Sequence, residues 1–410
     1  MRNITLAVAT CLLLSLPAQA ENLHEVYRTA VDNDPTYLAA YANYQAVRES
    51  KNQSVAPLLP SLNLSADYND ISQDYSTVGK QDYTEYSYNL NLSQAIFRYN
   101  YWVQLRQANI QVAQAEANFS NARQVLILRV AERYFEVLAA GDNLTFAKSE
   151  KEAIGEQLNQ TKQRFEVGLS AITDVHEAQA RYDQAVAQNI EAENLLANSK
   201  ENLREVTGQY YESLSILLED SPLVAPKPEN IDAWLDIAKE RSLSLIAAEK
   251  EMQLAREDVS RNRAGHYPTL DLVATYGYTD ADGGVFTAIT GREIDDTRVG
   301  LQFNLPIYEG GLISSQTREA AHRYQQSKDL YEQQRRATER ETRSSYLNVL
   351  ANISSVRAFG QALISSRTAL EATEAGYEVG TRTAVDVLNS RRELYRSVRD
   401  YARSRYTYIL

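Results

Sequence analysis

Residues 297–307 of the chain read Thr-Arg-Val-Gly-Leu-Gln-Phe-Asn-Leu-Pro-Ile and decide its fold. Apolar side chains occupy every second position, and the positions between them are mostly polar or glycine. This period of two predicts a β-strand with one apolar face. Three further segments, 61–69, 86–97 and 269–279, alternate in the same way. Each is about ten residues long, which is the length that a tilted strand needs to cross a bilayer.

Polar segments at 70–85 and 280–296 are expected to be loops that join these strands pairwise into hairpins. A soluble sheet with one face on a core would show the same alternation. However, the sequence offers no amphipathic helix short enough to cover such a sheet. Aromatic residues also crowd the strand ends, as they do at membrane interfaces. The strands are therefore predicted to lie in a membrane.

Four strands cannot close a membrane barrel by themselves. Lipid offers no hydrogen-bond partner to a free strand edge, and bacterial single-chain barrels begin at about eight strands. The barrel must therefore be shared, with eight strands from a dimer or twelve from a trimer. The trimer is favoured, because two helices per half of each chain would surround a twelve-stranded barrel with a matching helical tube.

The predicted helices are unusually long. The segment from Arg98 to Phe165 has no proline and only two glycines. Its apolar residues first follow a heptad seam and then drift toward the period of a straight helix. Such a helix would be about 100 Å long, and residues 312–376 form a similar one. Helices of this length need neighbours of equal length, so the helices alone would equally suit a coiled-coil rod.

The two halves of the chain are similar in sequence. Three blocks of the first half recur in the second, in the same order and at almost one offset: 60–68 with 268–276, 134–140 with 346–352, and 165–175 with 377–387. A tandem duplication is therefore predicted, with repeats at 21–220 and 230–410 around a proline-rich linker at 221–229. Each repeat is expected to open with one helix, at about 22–55 and 230–265, followed by a hairpin, a long helix and a shorter helix.

The first 20 residues predict a signal peptide, with a charged start, an apolar run to Leu16 and an Ala-Gln-Ala cleavage site. No apolar run long enough for a transmembrane helix follows. The single cysteine, Cys11, lies in the apolar run, so the mature chain has no thiol for a disulfide, a metal site or nucleophilic catalysis.

Composition excludes several other functions. The four histidines include no i, i+4 pair, which argues against a zinc protease site. The chain has 42 basic and 54 acidic residues and a net charge of −12, which argues against nucleic-acid binding. No nucleophile–base pair or phosphate-binding loop is present. The protein is therefore expected not to be an enzyme and to hold no metal or cofactor.

Two helix–turn–helix tips carry the most distinctive residues, Phe-Glu-Val-Gly-Leu-Ser-Ala-Ile-Thr-Asp-Val at 165–175 and Tyr-Glu-Val-Gly-Thr-Arg-Thr-Ala-Val-Asp-Val at 377–387. Gly168 and Gly380 are predicted to adopt the left-handed conformation that ends a helix. An aspartate follows six residues after each glycine. These two carboxylates could simply complement the positive end of a helix.

Together with residues 253–258, 265–272 and 299–311, these tips resemble the outer membrane factor family. The resemblance runs from the predicted mature start to the last helix, and the family's C-terminal extension has no counterpart in this sequence. It implies an α+β membrane protein. Each trimer would form a twelve-stranded outer-membrane β-barrel, four strands per chain, continued by a long periplasmic α-helical barrel.

The resemblance also implies a function and partners. The homotrimer would be a passive exit duct for tripartite drug efflux and type I protein secretion. A periplasmic adaptor (membrane fusion) protein and inner-membrane efflux or ABC transporters would open its periplasmic end. Outer-membrane lipid would surround the barrel, and no nucleic acid is expected. The alternative is a structural or adhesive coiled-coil surface protein, and a third class, a periplasmic adaptor, would need a lipoyl-like β-domain that the sequence lacks.

In the family, the periplasmic mouth closes like an iris. The corresponding gating contacts here would join Tyr377 and Arg382 to Thr173 and Asp174. The two tips, around Gly168 and Gly380, would be the docking points for the adaptor.

The resemblance places the pore constriction at Asp386 and Asn389, which are i and i+3 on a helix and can face the pore together. The family's second ring residue is an aspartate, whereas Asn389 is neutral. Glu393 lies about 20° from Asp386 in helical phase and is predicted to form a second acidic ring. Arg391 and Arg392 are predicted to point elsewhere and to matter less.

Overall fold

A computed structural model describes residues 20–77, 79–218, 221–282 and 293–410. The predicted signal peptide and residues 283–292, in the middle of the second predicted loop, lie outside the described residues. Within the described part, no helix is both long and apolar enough to cross a bilayer.

Both halves of the chain have the same order of elements: two helices, a short 3-10 turn, two strands, a long helix and a shorter helix. In the first half these are α1 (Leu23–Asn33), α2 (Pro35–Val55), β1 (Ser61–Tyr75), β2 (Gly79–Phe97), α3 (Tyr99–Glu166) and α4 (Ile172–Thr207). In the second half they are α5 (Ile231–Arg241), α6 (Leu243–Arg263), β3 (Thr269–Asp282), β4 (Glu293–Asn304), α7 (Leu312–Glu378) and α8 (Ala384–Ile409).

The predicted single helix at the start of each half is wrong, because each is two helices. Asp34 is extended, as expected of a residue before proline. Its carboxylate accepts a 2.6 Å hydrogen bond from the amide of Tyr37 and so caps α2. In the second half, Ser242 is also extended and its hydroxyl accepts from the amide of Leu245, which caps α6.

The four strands form one antiparallel sheet in the order β1-β2-β3-β4. Leu90 lies opposite Leu64 on one side and Tyr276 on the other, while Val299 lies opposite Ala274. Opposed residues share a face of the sheet, so the apolar side chains of all four strands form one surface. That surface is exposed in the single chain, with Val299 72% exposed.

Strand lengths differ from those predicted. β1 and β2 pair through the polar stretch as far as Tyr75 and Gly79, so the loop predicted over 70–85 is wrong. β3 likewise extends to Asp282. In contrast, β4 ends at Asn304, before the predicted end at 307, because Pro306 has no amide hydrogen to donate to a neighbouring strand.

The chain divides into two compact units, and each takes residues from both predicted repeats. The first unit comprises residues up to Leu38, 123–230 and 344–410; it holds both helix tips and α8. The second unit comprises residues 39–122 and 231–343 and holds the sheet. The helices α3 and α7 contribute residues to both units.

Each unit has its own stabilising contacts. In the first unit, Leu126 and Val130 of α3 are fully buried against Val26 and Leu203. In the second unit, Arg98 makes a bidentate pair with the buried carboxylate of Asp271, at 2.7 and 2.8 Å. A planar bidentate pair fixes the relative orientation of its two side chains and also stabilises their contact. This pair therefore anchors the β2–α3 junction to β3.

Candidate functional site

Both helix tips close with the same turn. Gly168 and Gly380 each have a φ of +76°, which glycine adopts without strain. A Cβ atom at either position would meet no other atom within 4 Å, so the backbone conformation and not space requires glycine. The amide of Leu169 donates back to the carbonyl of Arg164, and that of Thr381 to the carbonyl of Gly376, both at 2.8 Å. These bonds satisfy carbonyls that the helix ends leave free.

Asp386 belongs to a capping box at the start of α8. Its carboxylate accepts hydrogen bonds from the amide and the hydroxyl of Thr383, both 2.9 Å long. The Thr383 hydroxyl accepts in turn from the amide of Asp386 at 3.2 Å. The Thr383 amide, and then its hydroxyl, lower the pKa of Asp386 below its ordinary value because both favour the charged carboxylate.

Asp174 plays a similar part at the start of α4. Its carboxylate accepts from the hydroxyl of Ser170 at 2.8 Å and from the amide of Ala171 at 3.3 Å. Both tip aspartates thus complement a helix N-terminus, as the simpler interpretation of the sequence expected. This role is compatible with a second one, because each carboxylate has lone pairs that these bonds leave available.

The predicted gating residues have other partners in the single chain. The guanidinium of Arg164 lies 4.8 Å from the ring centroid of Tyr377, a cation–π contact between the two tips. Arg382 folds over Gly376, where an added Cβ atom would approach its Cγ to 2.8 Å. Sequence reasoning missed Arg164 and Gly376, because neither contact follows from spacing along the chain.

Within the described tips, no hydrogen bond or ion pair joins Tyr377 or Arg382 to Thr173 or Asp174. The four predicted gating residues all lie in the first compact unit, at or beside the ends of α4, α7 and α8.

The predicted constriction residues share one side of α8. Asn389 and Glu393 are exposed and Asp386 is half-exposed. Val387 and Leu388 are buried, and Leu388 packs in a cluster with residues of α3 and α4. This packing fixes which side of α8 faces outward from the bundle. The side of α8 that carries Asn389 and Glu393 has both negative and positive charges, because an exposed arginine, Arg396, follows within one turn of Glu393.

The capping box predicts how charge at Asp386 responds to pH. Because its pKa is lowered, the Asp386 carboxylate stays ionised at pH values below the ordinary aspartate pKa. Its negative charge is lost only as the pH falls through the lowered pKa. Thr383→Val removes the hydroxyl donor, so we expect Asp386 to lose its charge at a higher pH than in the wild type. In the constriction proposed below, the pH at which trivalent cations cease to block conductance measures this. Thr381→Val, which leaves Asp386 untouched, should not move that pH.

Among the described residues, no group of three or more histidine, cysteine, aspartate or glutamate side chains could hold a metal ion.

The chain matches known proteins over almost its whole length. Residues 26–209 and 234–409 match the outer membrane efflux protein family. The outer membrane protein TolC of Vibrio cholerae is 42% identical over 397 residues, which are 97% of this chain and 90% of that protein. The alkaline protease secretion protein AprF of Pseudomonas aeruginosa is 30% identical over 411 residues, or 98% of this chain and 85% of that one.

Solved structures share the fold at low sequence identity. The outer membrane protein VceC of Vibrio cholerae superposes with a TM-score of 0.78 at 21% identity, covering 94% of this chain and 93% of that one. The outer membrane channel CmeC of Campylobacter jejuni superposes with a TM-score of 0.80 at 18% identity, covering 100% and 91%.

These matches confirm the predicted fold class, a trimeric twelve-stranded β-barrel with four strands per chain, continued by a periplasmic α-helical barrel. They confirm the outer membrane as its location. The family is one of channels and not of enzymes. The chain belongs to the outer membrane efflux protein family and is a subunit of an outer-membrane channel.

Proposed function

We propose that the homotrimer is a passive exit duct for efflux pumps and type I secretion systems, opened at its periplasmic end by adaptor and transporter partners. The observation that carries the proposal is the exposed apolar face of the four-stranded sheet, which has two open edges, β1 and β4. Such edges need partners in lipid, and equivalent strands of neighbouring chains supply them. A duct of this kind needs no catalytic group, so we propose that the protein has no enzymatic activity.

The relatives support the direction of transport. One relative is named for alkaline protease secretion in Pseudomonas aeruginosa, and another, BepC of Brucella suis, is named an outer membrane efflux protein. The family match argues against the alternative expected from the sequence, a coiled-coil rod or adhesin. A rod would leave the exposed apolar strand face unexplained, since that face needs lipid or another protein to cover it.

We propose that Asp386 and Asn389 form the pore constriction, with Glu393 as a further acidic ring. Threefold symmetry would make each position a ring of three side chains. We further propose that Tyr377 and Arg382 reach Thr173 and Asp174 when three chains assemble with the mouth closed. The lone pairs that capping leaves available on Asp174 would accept those bonds.

The adaptor is proposed to dock on the tips around Gly168 and Gly380. The turns present apolar side chains to solvent, since Val167, Leu169 and Val379 are all at least two-thirds exposed. Isolated exposed apolar residues are common, but clustered ones at a turn suit an apolar contact with a partner. The glycines themselves hold the turn that aims these side chains.

Co-purification tests the docking proposal. Leu169→Ser should sharply reduce the yield of adaptor recovered with the tagged channel, because it removes an apolar contact from the tip, while conductance in planar bilayers should be retained. Ile216→Ser, at an equally exposed apolar position in the segment after α4, is the matched control and should leave recovery unchanged. Equal recovery of adaptor with both variants would contradict docking at the tips.

A further inference from the structure

The face of the sheet opposite its apolar face carries few charges. Serine, asparagine and threonine predominate on this interior face. Among the described residues of the four strands, it holds one basic side chain, Arg298 of β4. A carboxylate on the same face, Asp67, lies on β1. Because β1 and β4 are the open edges of the sheet, each edge carries a charged side chain toward the interior of the barrel.

Arg298 and Asp67 differ in their partners within one chain. The Nη2 atom of Arg298 lies 2.9 Å from a carboxylate oxygen of Asp296, two residues earlier on the same face of β4. The Arg298 side chain is still 79% exposed, and a guanidinium has five N–H donors, so it can bind a second acceptor. Within the part of the chain that the structure describes, Asp67 is exposed and makes no ion pair.

The two edges must pair between chains, β4 of one chain with β1 of the next. The displacement between chains must be an even number of residues, since an odd one would set the polar face of one chain beside the apolar face of the next. Within one chain, Leu62 of β1 and Val299 of β4 lie on the same line across the sheet. Zero displacement would therefore pair Val299 with the partner subunit's Leu62, and larger displacements move its partner along β1.

Barrel closure limits this displacement. The tilt of the strands depends on their number and on the total displacement around the barrel, which threefold symmetry makes three times the displacement per chain. With about 3.3 Å per residue along a strand and about 4.8 Å between strands, a displacement of two residues gives a tilt of about 19°. Displacements of four and six residues give about 35° and about 46°. Only these two agree with the tilt of about 35–45° found in membrane barrels.

Strand lengths favour four residues and also fix the direction. A displacement of four toward the C-terminal end of β1 pairs all of β4, Glu293–Asn304, with residues 61–72 of the partner subunit. Both strands then begin together, with Asn304 opposite the partner subunit's Ser61. A displacement of six would leave the start of β1 unpaired. Four residues in the opposite direction would leave only residues 293–296 opposite β1.

The interior side chains match at a displacement of four. Arg298 lies directly opposite the partner subunit's Asp67, and directly opposed side chains of opposite charge stabilise a sheet. Ile294, an apolar side chain on the interior face, lies opposite the partner subunit's Ile71. A displacement of two would instead set Asp296 against the partner subunit's Asp67, and opposed like charges destabilise a sheet.

One pair on the outer face opposes this register. At a displacement of four, Asp295 lies opposite the partner subunit's Asp70. Asp295 also accepts a 2.9 Å hydrogen bond from the hydroxyl of Tyr276. Both carboxylates lie beyond the apolar stretches of their strands, where water and salt screen their repulsion. The pair therefore weakens the outer end of the seam but does not outweigh the pairing of the whole of β4.

We propose that β4 pairs with β1 of the next chain at a displacement of four residues, and that Arg298 forms an ion pair with the partner subunit's Asp67 across each seam of the barrel. This register rests on the proposed function, because it requires three chains to share one barrel. Arg298 then lies between two carboxylates, that of Asp296 in its own chain and that of the partner subunit's Asp67. An ion pair that faces water adds little affinity, so its main effect is to disfavour the alternative even displacements.

Cysteine cross-linking measures the register, because the predicted mature chain has no cysteine of its own. Gln302→Cys on β4 is combined in turn with Ser61→Cys, Asn63→Cys or Ser65→Cys on β1, which report displacements of two, four and six. All four positions are exposed and polar, and the variants leave the proposed ion pair intact. Trimers in outer membranes are treated with a short bifunctional thiol reagent, and covalent trimer is measured after denaturation. We expect the Asn63→Cys combination to give several times more covalent trimer than either of the others, because directly opposed side chains are closest.

The outcomes separate the register from the shared barrel. Most covalent trimer from the Ser61→Cys or Ser65→Cys combination would overturn the displacement of four and leave the shared barrel standing. No covalent product from any of the three combinations, in trimers that conduct, would contradict the pairing of β4 with β1 and with it the proposed shared barrel.

A double-mutant cycle tests the ion pair. Arg298→Gln and Asp67→Asn should each lower the temperature at which the trimer dissociates in detergent. The double variant should dissociate at the temperature of Arg298→Gln alone, because Asp67 then has no partner to lose. Lys80→Gln, which removes an exposed ion pair with Asp82 inside β2, is the control and should leave that temperature unchanged. If Asp67→Asn had no effect, or if its effect simply added to that of Arg298→Gln, the ion pair would be contradicted.

Discussion

Val299→Arg should abolish assembly of the channel in the outer membrane. Val299 is 72% exposed on the apolar face of β4, opposite Ala274 of β3. An arginine on the lipid-facing side near the bilayer midplane costs about 2–4 kcal/mol per chain. Three copies per trimer raise the cost to about 6–12 kcal/mol, which is comparable to the whole stability of a typical domain. Heat-modifiable trimer in outer-membrane extracts measures the effect.

The adjacent residue provides the control. Gly300 lies on the opposite face of the same strand, and an added Cβ atom there would meet no other atom within 4 Å. Gly300→Arg should therefore assemble into trimers, because its charge would enter the polar interior of the barrel. Equal loss of trimer in both variants, or in neither, would contradict the assignment of the apolar face to lipid.

Asp386→Asn should nearly abolish block of the channel by multivalent cations. In the proposed constriction the substitution removes a ring of three carboxylates, while the side-chain amide oxygen can still accept hydrogen bonds from Thr383. A ring of like charges in a narrow, low-dielectric pore concentrates cations, so its removal should also reduce cation selectivity. Reversal potentials in a salt gradient, and titration of conductance with a trivalent cation, measure both effects.

The neighbouring ring gives the opposite test. Asn389→Asp adds three carboxylates one turn from Asp386 and should tighten multivalent-cation block. Arg396 follows Glu393 on the same side of α8, so its positive charge should limit how far the acidic field extends along the pore. If Asp386→Asn left both selectivity and block unchanged, Asp386 would not line the constriction.

Alternation in the sequence predicted the apolar face of the sheet but not the full length of its strands. Side chains at every second position identify a strand wherever one face meets lipid. Beyond the bilayer, both faces of a hairpin can be polar. The ladder from Asp70 to Tyr75 is held by backbone hydrogen bonds that need no apolar pattern. The polar stretch 70–85 was therefore indistinguishable from a loop.

Helix breaks were harder to predict than helix lengths. The predicted long helix, 98–165, agrees with α3 to within about a residue at each end. The breaks at Asp34 and Ser242 depend on single capping side chains within otherwise helical sequence. Asp34 precedes a proline, which is a usable signal, whereas Ser242 carries only the weaker one of a serine at a potential N-cap.

The helix tips were predictable because a glycine, and an aspartate six residues after it, determine the geometry of each turn. The contacts of Arg391 were not, because its guanidinium donates to the carbonyl of Ala153, 238 residues away along the chain. Helical phase alone showed that Arg391 points away from Asp386. It could not show what lies on that side of α8, so the prediction that Arg391 matters less rested on helical phase alone. Contacts between helices are set by packing, which the sequence pattern does not specify residue by residue.

Single-channel recording on cross-linked protein most directly tests the claim that three chains share one pore. The wild-type protein is cross-linked in detergent, and the monomer, dimer and trimer fractions are separated and added to planar bilayers at equal chain concentration. The four-stranded sheet with its two open edges predicts that only the trimer fraction conducts. Conductance from purified monomer, or none from the trimer, would contradict it.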